Sequence, residues 1–298
     1  MNADTIGWKW KILRKKVFTL LFSRSTKIFN DYAYTAIIYR IIFGKKIHLN
    51  PPITYNEHLS ALKLQDQYYK YAVYADKYEV REYVKNVIGE EYLNRVLGIY
   101  DSFEDIDFSV LPNQFAMKCT HGSSYNVIVH DKSKLNYRAT KKKITKWMGE
   151  NYYFQMREKQ YRGIKPRIMI DEFLKGENDV LLNEVKLYCI KGVVRFIVDN
   201  HEDDKTRYSN MYTREWEWID VTCGFPSDKS IKKPENSDEL VRIAEDLAKP
   251  FKFVRVDLYN VDGRIIFSEL TFCPAGGMTL FKPESFDYEM GKYFNEGE

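Results

Sequence analysis

The 298-residue chain is 44% hydrophobic and 15% aromatic and carries no internal repeat or low-complexity tract, which excludes a disordered protein and allows one domain of packed lobes or two small domains. Its net charge of +4 is local: residues 1–48 hold ten Lys/Arg against two Asp/Glu, and the slightly acidic remainder speaks against a nucleic-acid-binding body. Four scattered cysteines, Cys119, Cys189, Cys223 and Cys273, form no C-x-x-C pair, so neither a zinc site nor a disulfide framework is indicated and a reducing compartment is the default.

The basic arm, residues 1–50, opens with "WKWKILRKKVFTLLFSRSTKIF", where Trp8, Trp10, Ile12, Val17, Phe18, Leu20, Leu21 and Phe22 alternate with Lys and Arg. Residues 8–22 have the composition of a helix lying on an anionic membrane surface, and a helix docked on the protein's own body or on a partner fits equally. Neither this stretch nor "AIIYRIIF", broken by Arg40, approaches the roughly 20 apolar residues of a spanning helix. After Pro51-Pro52, Thr54 and Glu57 stand at capping-box spacing ahead of Leu59, Leu62 and Leu64, which predicts a helix. "YADKYEVREYVKNVIGEEYL" predicts another, and "VLGIYDSFEDIDFSVLP" a short strand and a loop. "QFAMKCTHGSSYNVIV" reads as a hairpin, residues 138–160 as helical, "PRIMIDEFL" as a strand entering a connector, and "NEVKLYCIKGVVRFIVDN" as a hairpin turning at Lys191-Gly192. "SDELVRIAEDLAKPF" is a helix with Ser237 as its expected N-cap. A last hairpin flanks Asn260-Val261-Asp262-Gly263, giving an α+β pattern with hairpins on either side of a connector near 172–176.

In that last hairpin alternation puts Arg255, Asp257 and Tyr259 on one face, and Glu269 shares a face of the second strand with Thr271. Facing carboxylates repel unless a cation lies between them; a divalent metal carried by a nucleotide would serve, and so would Arg255 and Arg264 on a solvated face. Lys118 lies inside an apolar strand directly before "CTHGSSYN", so it should reach an anion or a carboxylate. There Gly122, Ser123 and Ser124 offer donors to phosphates, although an edge-strand lysine and an ordinary turn account for the stretch equally well. Lys186 repeats the theme in "EVKLYCI", and Glu172, Phe173 and Leu174 form a connector suited to an adenine edge. The chain has no Walker A and no G-x-G-x-x-G sequence.

From "LNPPITYNEHLSALKL" through "YADKYEVREYV", "LPNQFAMKCTHGSSYNVIV", "REKQYRGIKPRIMIDEFL" and "RVDLYNVDGRIIFSELTFCPAGG", the chain resembles the ATP-grasp fold and, within it, the TupA-like (teichuronopeptide-biosynthesis-like) group of bacterial surface-polysaccharide proteins. The resemblance implies two α+β lobes with antiparallel sheets sandwiching ATP, preceded by a helical basic N-terminal region. The expected segments are the arm at 1–50, a helical region at 51–112, the first lobe at 113–175, and the second lobe with the metal hairpin at 176–298. It implies nucleotide contacts at Lys118, His121, Gly122, Ser123, Ser124, Glu172, Phe173, Leu174 and Lys186, Mg²⁺ at Asp257, Glu269 and Thr271, and Lys186 and Arg255 at the reacting phosphoryl or acyl phosphate. His121 alone, as a single histidine in a turn, reads more readily as a polar loop residue. Where the general pattern is Glu-x-Asn this chain has Glu269-Leu270-Thr271, and Glu184-Val185-Lys186 stands where the group has Asp-Tyr-Lys.

The implied activity is an ATP- and Mg²⁺-dependent amide ligase that converts a carboxylate into an acyl phosphate and lets an amine displace the phosphate. Its carboxylate would be a uronic acid of a surface glycan or precursor, its amine an amino acid or amino sugar, and its location the cytoplasm, at the inner membrane face if the arm binds lipid. Arg195, Arg207 and Trp216 lie where an anionic sugar could bind, or on an ordinary surface, and "TREWEWID" reads as sugar stacking or as core. A glycosyltransferase is the rival from another class, but no Asp-x-Asp on a doubly wound sheet is evident. A nucleotide-binding relative without turnover is the other.

Overall fold

The computed structural model describes residues 28–176, 183–202 and 206–296. Residues 8–22, expected as a surface or docking helix, lie outside them. The first described helix, α1 (Asp31–Phe43), corresponds to "AIIYRIIF": Asn30 caps it by accepting from the Ala33 amide at 2.8 Å, and Gly44 ends it at φ 73°. It buries Tyr34, Ile38, Tyr39 and Ile42 against Ile47 and Met278. In α2 (Tyr55–Lys63) the expected capping box is present, with Thr54 and Glu57 each accepting from the other's backbone. α3 (Ala72–Ala75) and α4 (Val80–Val87) follow.

Two antiparallel sheets carry the rest. β1 (Val96–Tyr100), β2 (Phe115–Cys119), β3 (Asn126–Val129) and β4 (Ile168–Glu172) form the first, in the order β1-β4-β2-β3. α5 (Tyr137–Met148) covers it by inserting Ile144 among Phe115, Met117, Cys119, Ile168 and Ile170, while Lys141, Lys142 and Lys143 stay exposed. α6 (Tyr153–Met156) follows α5. β1 belongs to this sheet although it falls in the 51–112 stretch expected as helical; its short "VLGIY" pairs with β4.

The second sheet contains β5 (Asn183–Ile190), β6 (Val193–Glu202), β7 (Arg207–Tyr212), β8 (Trp218–Ile219), β9 (Phe253–Val261) and β10 (Arg264–Thr271), in the order β10-β9-β5-β6-β7-β8. Both long hairpins turn through two left-handed residues, Lys191-Gly192 (φ 52° and 79°) and Asp262-Gly263 (φ 51° and 84°), the geometry that matches strand twist. One face of this sheet is covered by α7 (Ser237–Ala248) and by the aromatic core that Tyr55, Leu59, Tyr68, Val80 and Val84 of the N-terminal helices enter. Those helices therefore share the core of the second sheet. α7 is preceded by Asn236 as cap, not Ser237, and the Asn236 amide bridges to Asn260 and the Gly263 carbonyl. The chain ends in α8 (Ser285–Lys292), packed on α2.

Candidate active site

The other face of the second sheet carries three charged strands in register. Lys186 of β5 pairs with Asp257 of β9, and Asp257 with Glu269 of β10; one row further on, Tyr188, Arg255 and Thr271 are aligned. Cross-strand partners share a face, so these groups are neighbours. Glu269 reaches this face through a bulge: Phe267 pairs with Leu258 and Glu269 with Asp257, leaving Ser268 as the extra residue.

The carboxylates meet across the chain's own cations. The Arg255 guanidinium grips Asp257 with two hydrogen bonds (Nε to Oδ1 2.6 Å, Nη2 to Oδ2 2.5 Å), donates to Thr271 Oγ1 at 3.1 Å and lies 3.6 Å from Glu269 Oε1. Thr271 Oγ1 donates onward to Glu269 Oε1 at 3.1 Å, and Lys77 Nζ is 2.5 Å from Glu269 Oε2. Lys186 Nζ is 3.0 Å from Glu184 and 4.0 Å from Asp257. Arg255 is thus the expected partner, while Arg264 is exposed; on this face Asp257 is buried and Lys186, Arg255, Glu269 and Thr271 are half-buried. Burial raises Asp257, with Arg255 and Lys186 opposing, to about 6; burial would also raise Glu269, but Lys77 and Arg255 hold it down to about 2. Both are ionised at neutral pH.

Two cavities flank this row. The larger, of about 670 Å³, lies between the sheets and is lined by Lys118, Glu172, Phe173, Leu174, Glu184, Arg207 and Tyr259, among others. The smaller, about 270 Å³, is lined by Ser123, Glu158, Arg255, Glu269, Thr271 and residues 273–276 in part. On β9, Tyr259 faces the first and Arg255 the second, with Asp257 between them.

Lys118 reaches a carboxylate, as its burial demands: Nζ lies 2.8 Å from Asp171 Oδ2, and Asp171 Oδ1 is buried without a hydrogen-bond partner. Of the small-residue loop, Ser123 lines the smaller of these two cavities, and Gly122 and Ser124 line neither. His121 is buried with Nε2 3.0 Å from the Trp147 carbonyl; Gly122 lies under the Tyr125 and Tyr152 rings; Ser124 is exposed at φ 61°. Arg195 is not brought to the site. It is the unpaired residue of a bulge in β6, with its guanidinium 2.9 Å from Glu296 and 4.3 Å from the Tyr293 ring centroid. Arg207 lines the larger cavity and stacks on Phe225. Trp216 and Trp218 pack on Tyr212 as core. Lys77, Asp171 and Glu158 were not expected. Lys77 and Glu158 stand in the charged runs "ADKYEV" and "REKQY", where nothing in the local pattern sets them apart from their charged neighbours.

A family model described as TupA-like ATPgrasp matches residues 57–295. The chain belongs to this family. Its two antiparallel sheets with helices are the ATP-grasp architecture. Among solved structures, D-alanine–D-alanine ligase from Bacillus anthracis complexed with ATP aligns at TM-score 0.46 and 14% identity, over 89% of this chain and 75% of that one. The Helicobacter pylori D-alanine–D-alanine ligase aligns at 0.43 and 12%, over 76% of this chain and 59% of that one. ATP-grasp ligase PsnB, complexed with minimal precursor, Mg and ADP, aligns at 0.39 and 11%, over 88% and 66%. No curated protein matches the chain.

Proposed function

We propose that the protein is an ATP- and Mg²⁺-dependent carboxylate–amine ligase, joining an amino acid or amino sugar to a uronic acid of a bacterial surface polysaccharide or its precursor. The observation that carries this reading is the row Lys186–Asp257–Glu269, held in register between two cavities, in a chain of the TupA-like ATP-grasp family.

The larger cavity has the size of a nucleotide site, and its residues fit ATP. Lys118 and Lys186 would meet phosphate charge, one from each sheet, and the unpartnered Asp171 Oδ1 leaves Lys118's carboxylate with acceptor capacity to spare. Residues 172–174 would present backbone groups to the adenine edge, and Ser123 would donate to phosphate. No group of three or more His, Cys, Asp or Glu side chains able to hold a metal occurs among the described residues. Mg²⁺ would therefore rest on Asp257, Glu269 and the Thr271 hydroxyl, an oxygen set of the kind this ion shares with nucleotide phosphates. ATP supplies the phosphoryl group of the acyl phosphate and Mg²⁺ spreads the charge on its oxygens. Arg255, fixed by Asp257, presents a guanidinium at the smaller cavity and would steady the acyl phosphate there. Arg207 would attract an anionic substrate at the larger cavity.

Calorimetric titration of ATP and of a UDP-sugar panel, with Mg²⁺, into wild type and the Asp257→Asn, Glu269→Gln double variant tests the reading. We expect Mg²⁺-dependent ATP binding that the double variant loses. Binding of a UDP-sugar alone, indifferent to both substitutions, overturns it in favour of a glycosyltransferase.

A further inference from the structure

The smaller cavity contains a carboxylate that the reading above does not use. Glu158 lies two residues past α6, only 5% exposed, on the same cavity wall system as Arg255 and Glu269. Its Oε2 accepts from Gln160 Nε2 at 3.0 Å. The two cations that act on it are engaged elsewhere: Lys63 Nζ donates to the carbonyls of Met156 (2.9 Å) and Gly276 (2.7 Å), and Arg255 grips Asp257. The neighbouring Arg157, in the left-handed region at φ 56°, turns its guanidinium to Asp31 (3.6 Å) and the Tyr34 ring (4.5 Å).

A buried carboxylate is costly unless a cation answers it. Here it borders a cavity walled by Tyr152 and Tyr161, whose rings lie 4.8 Å apart, and a carboxylate beside aromatic rings is a receptor for an ammonium group. The other ionisable groups acting around it are Lys63 of α2, Arg255 and Glu269 of the hairpin, Cys273, Tyr152 and Tyr161.

We propose that Glu158 receives the amine of the ligation: it binds the ammonium form of a primary amine of amino-acid size in the smaller cavity and accepts its proton as nitrogen attacks the acyl carbon beside Arg255. This deepens, and rests on, the ligase reading. The first proton passes from nitrogen to the Glu158 carboxylate; the nitrogen lone pair forms the C–N bond; the C–O bond to phosphate breaks, and phosphate leaves with the electron pair. The second nitrogen proton goes to the departing phosphate. Burial raises Glu158, against the pull of Lys63, to about 7, a value suited to exchanging a proton near neutrality.

The test uses the full chain with Mg²⁺ and ATP, D-glucuronate or D-galacturonate as carboxylate, and either hydroxylamine or a panel of the twenty amino acids and glucosamine as nucleophile. Hydroxylamine is a free base at neutral pH and needs no proton acceptor to attack, so the amide-to-hydroxamate ratio isolates the role of Glu158. We expect Glu158→Gln to lower that ratio by about 100-fold or more, and Glu158→Asp, which keeps the charge with a shorter reach, to recover part of it. An unchanged ratio in Glu158→Gln overturns the proposal, as does a parallel loss of both products, which is the behaviour of a residue that only shapes the cavity. Hydroxamate without amide from any amine of the panel overturns the amino-acid-sized acceptor. No hydroxamate from wild type overturns the ligase reading itself.

Discussion

Asp257 and Glu269 stand directly opposite each other across the β9–β10 hairpin because one extra residue, Ser268, interrupts the ladder. Were Ser268 to pair with Asp257 in a regular ladder, Glu269 would pair with Val256 and turn to the opposite face. We predict that deleting Ser268, which puts Glu269 directly after Phe267 and so leaves it opposite Asp257, preserves Mg²⁺-dependent ATP binding in calorimetry. Loss of that binding in the deletion would show that the bulge itself, beyond the pairing of the two carboxylates, shapes the site.

Arg255 and Asp257 form a buried, doubly hydrogen-bonded pair. Truncating Asp257 to Ala leaves the guanidinium without its main partner, and we predict a loss of about 3–5 kcal/mol in denaturant-unfolding stability. The isosteric Asp257→Asn should lose much less. Similar costs for the two substitutions would show that charge, not hydrogen bonding, decides.

Glu269 is held at about 2 in the folded chain against an ordinary 4.5. Its stabilising contribution is therefore complete above pH 4.5 and disappears as pH falls from there to about 2, an effect on the order of 3 kcal/mol. We predict that Glu269→Gln lowers stability at pH 7 and flattens the acid limb over that window. A variant with an acid limb parallel to wild type would contradict the assignment.

Glu158 has the opposite sign. Raised to about 7 from 4.5, it keeps a proton in the folded chain that the unfolded chain has shed, so wild-type stability should rise as pH falls from about 7 to 4.5. Above pH 7 the group is charged in both states and its burial cost is felt in full. We predict that Glu158→Gln stabilises the protein at pH 8 by about 3 kcal/mol and leaves it unchanged near pH 4.5, read as thermal or denaturant midpoints at the two values. Destabilisation at pH 8 would show that the ionised form is well paired.

Among the described residues no helix is long and apolar enough to cross a membrane, but Ile28, Phe29, Tyr32 and Ile37 are exposed at the start of the chain described. We predict that deleting residues 1–25 leaves ATP affinity intact and lowers the fraction that sediments with anionic vesicles. Unchanged partition would remove the membrane role from the arm.

Much of the fold was legible because its signals are local. Asp262-Gly263 and Lys191-Gly192 can turn only in a few ways, Thr54 and Glu57 cap at fixed spacing, and alternation alone set Arg255 beside Asp257. The identity of the buried cations was not legible, since Lys77 and Glu158 stand in charged runs and are buried only by segments nearly 200 and 100 residues away in sequence, respectively. Arg195 and Arg207 looked alike for the same reason. A single-residue bulge took Arg195 to the C-terminal segment, and nothing in "VVRFIVDN" announces it.

The two cavities are built from different material. The larger draws most of its walls from strands of the two sheets, whose registers allow little drift. The smaller shares Arg255, Glu269 and Thr271 of β9 and β10 with the sheet face, but takes Tyr34 and Ile42 from α1, Gln155 and Met156 from the one-turn α6, and Tyr152, Glu158, Tyr161, Cys273, Ala275 and Gly276 from the turns and loops around them. Loops and turns accept substitution more readily than ladders do. Descendants of this chain can therefore change the compound in the small chamber while leaving the sheet face intact.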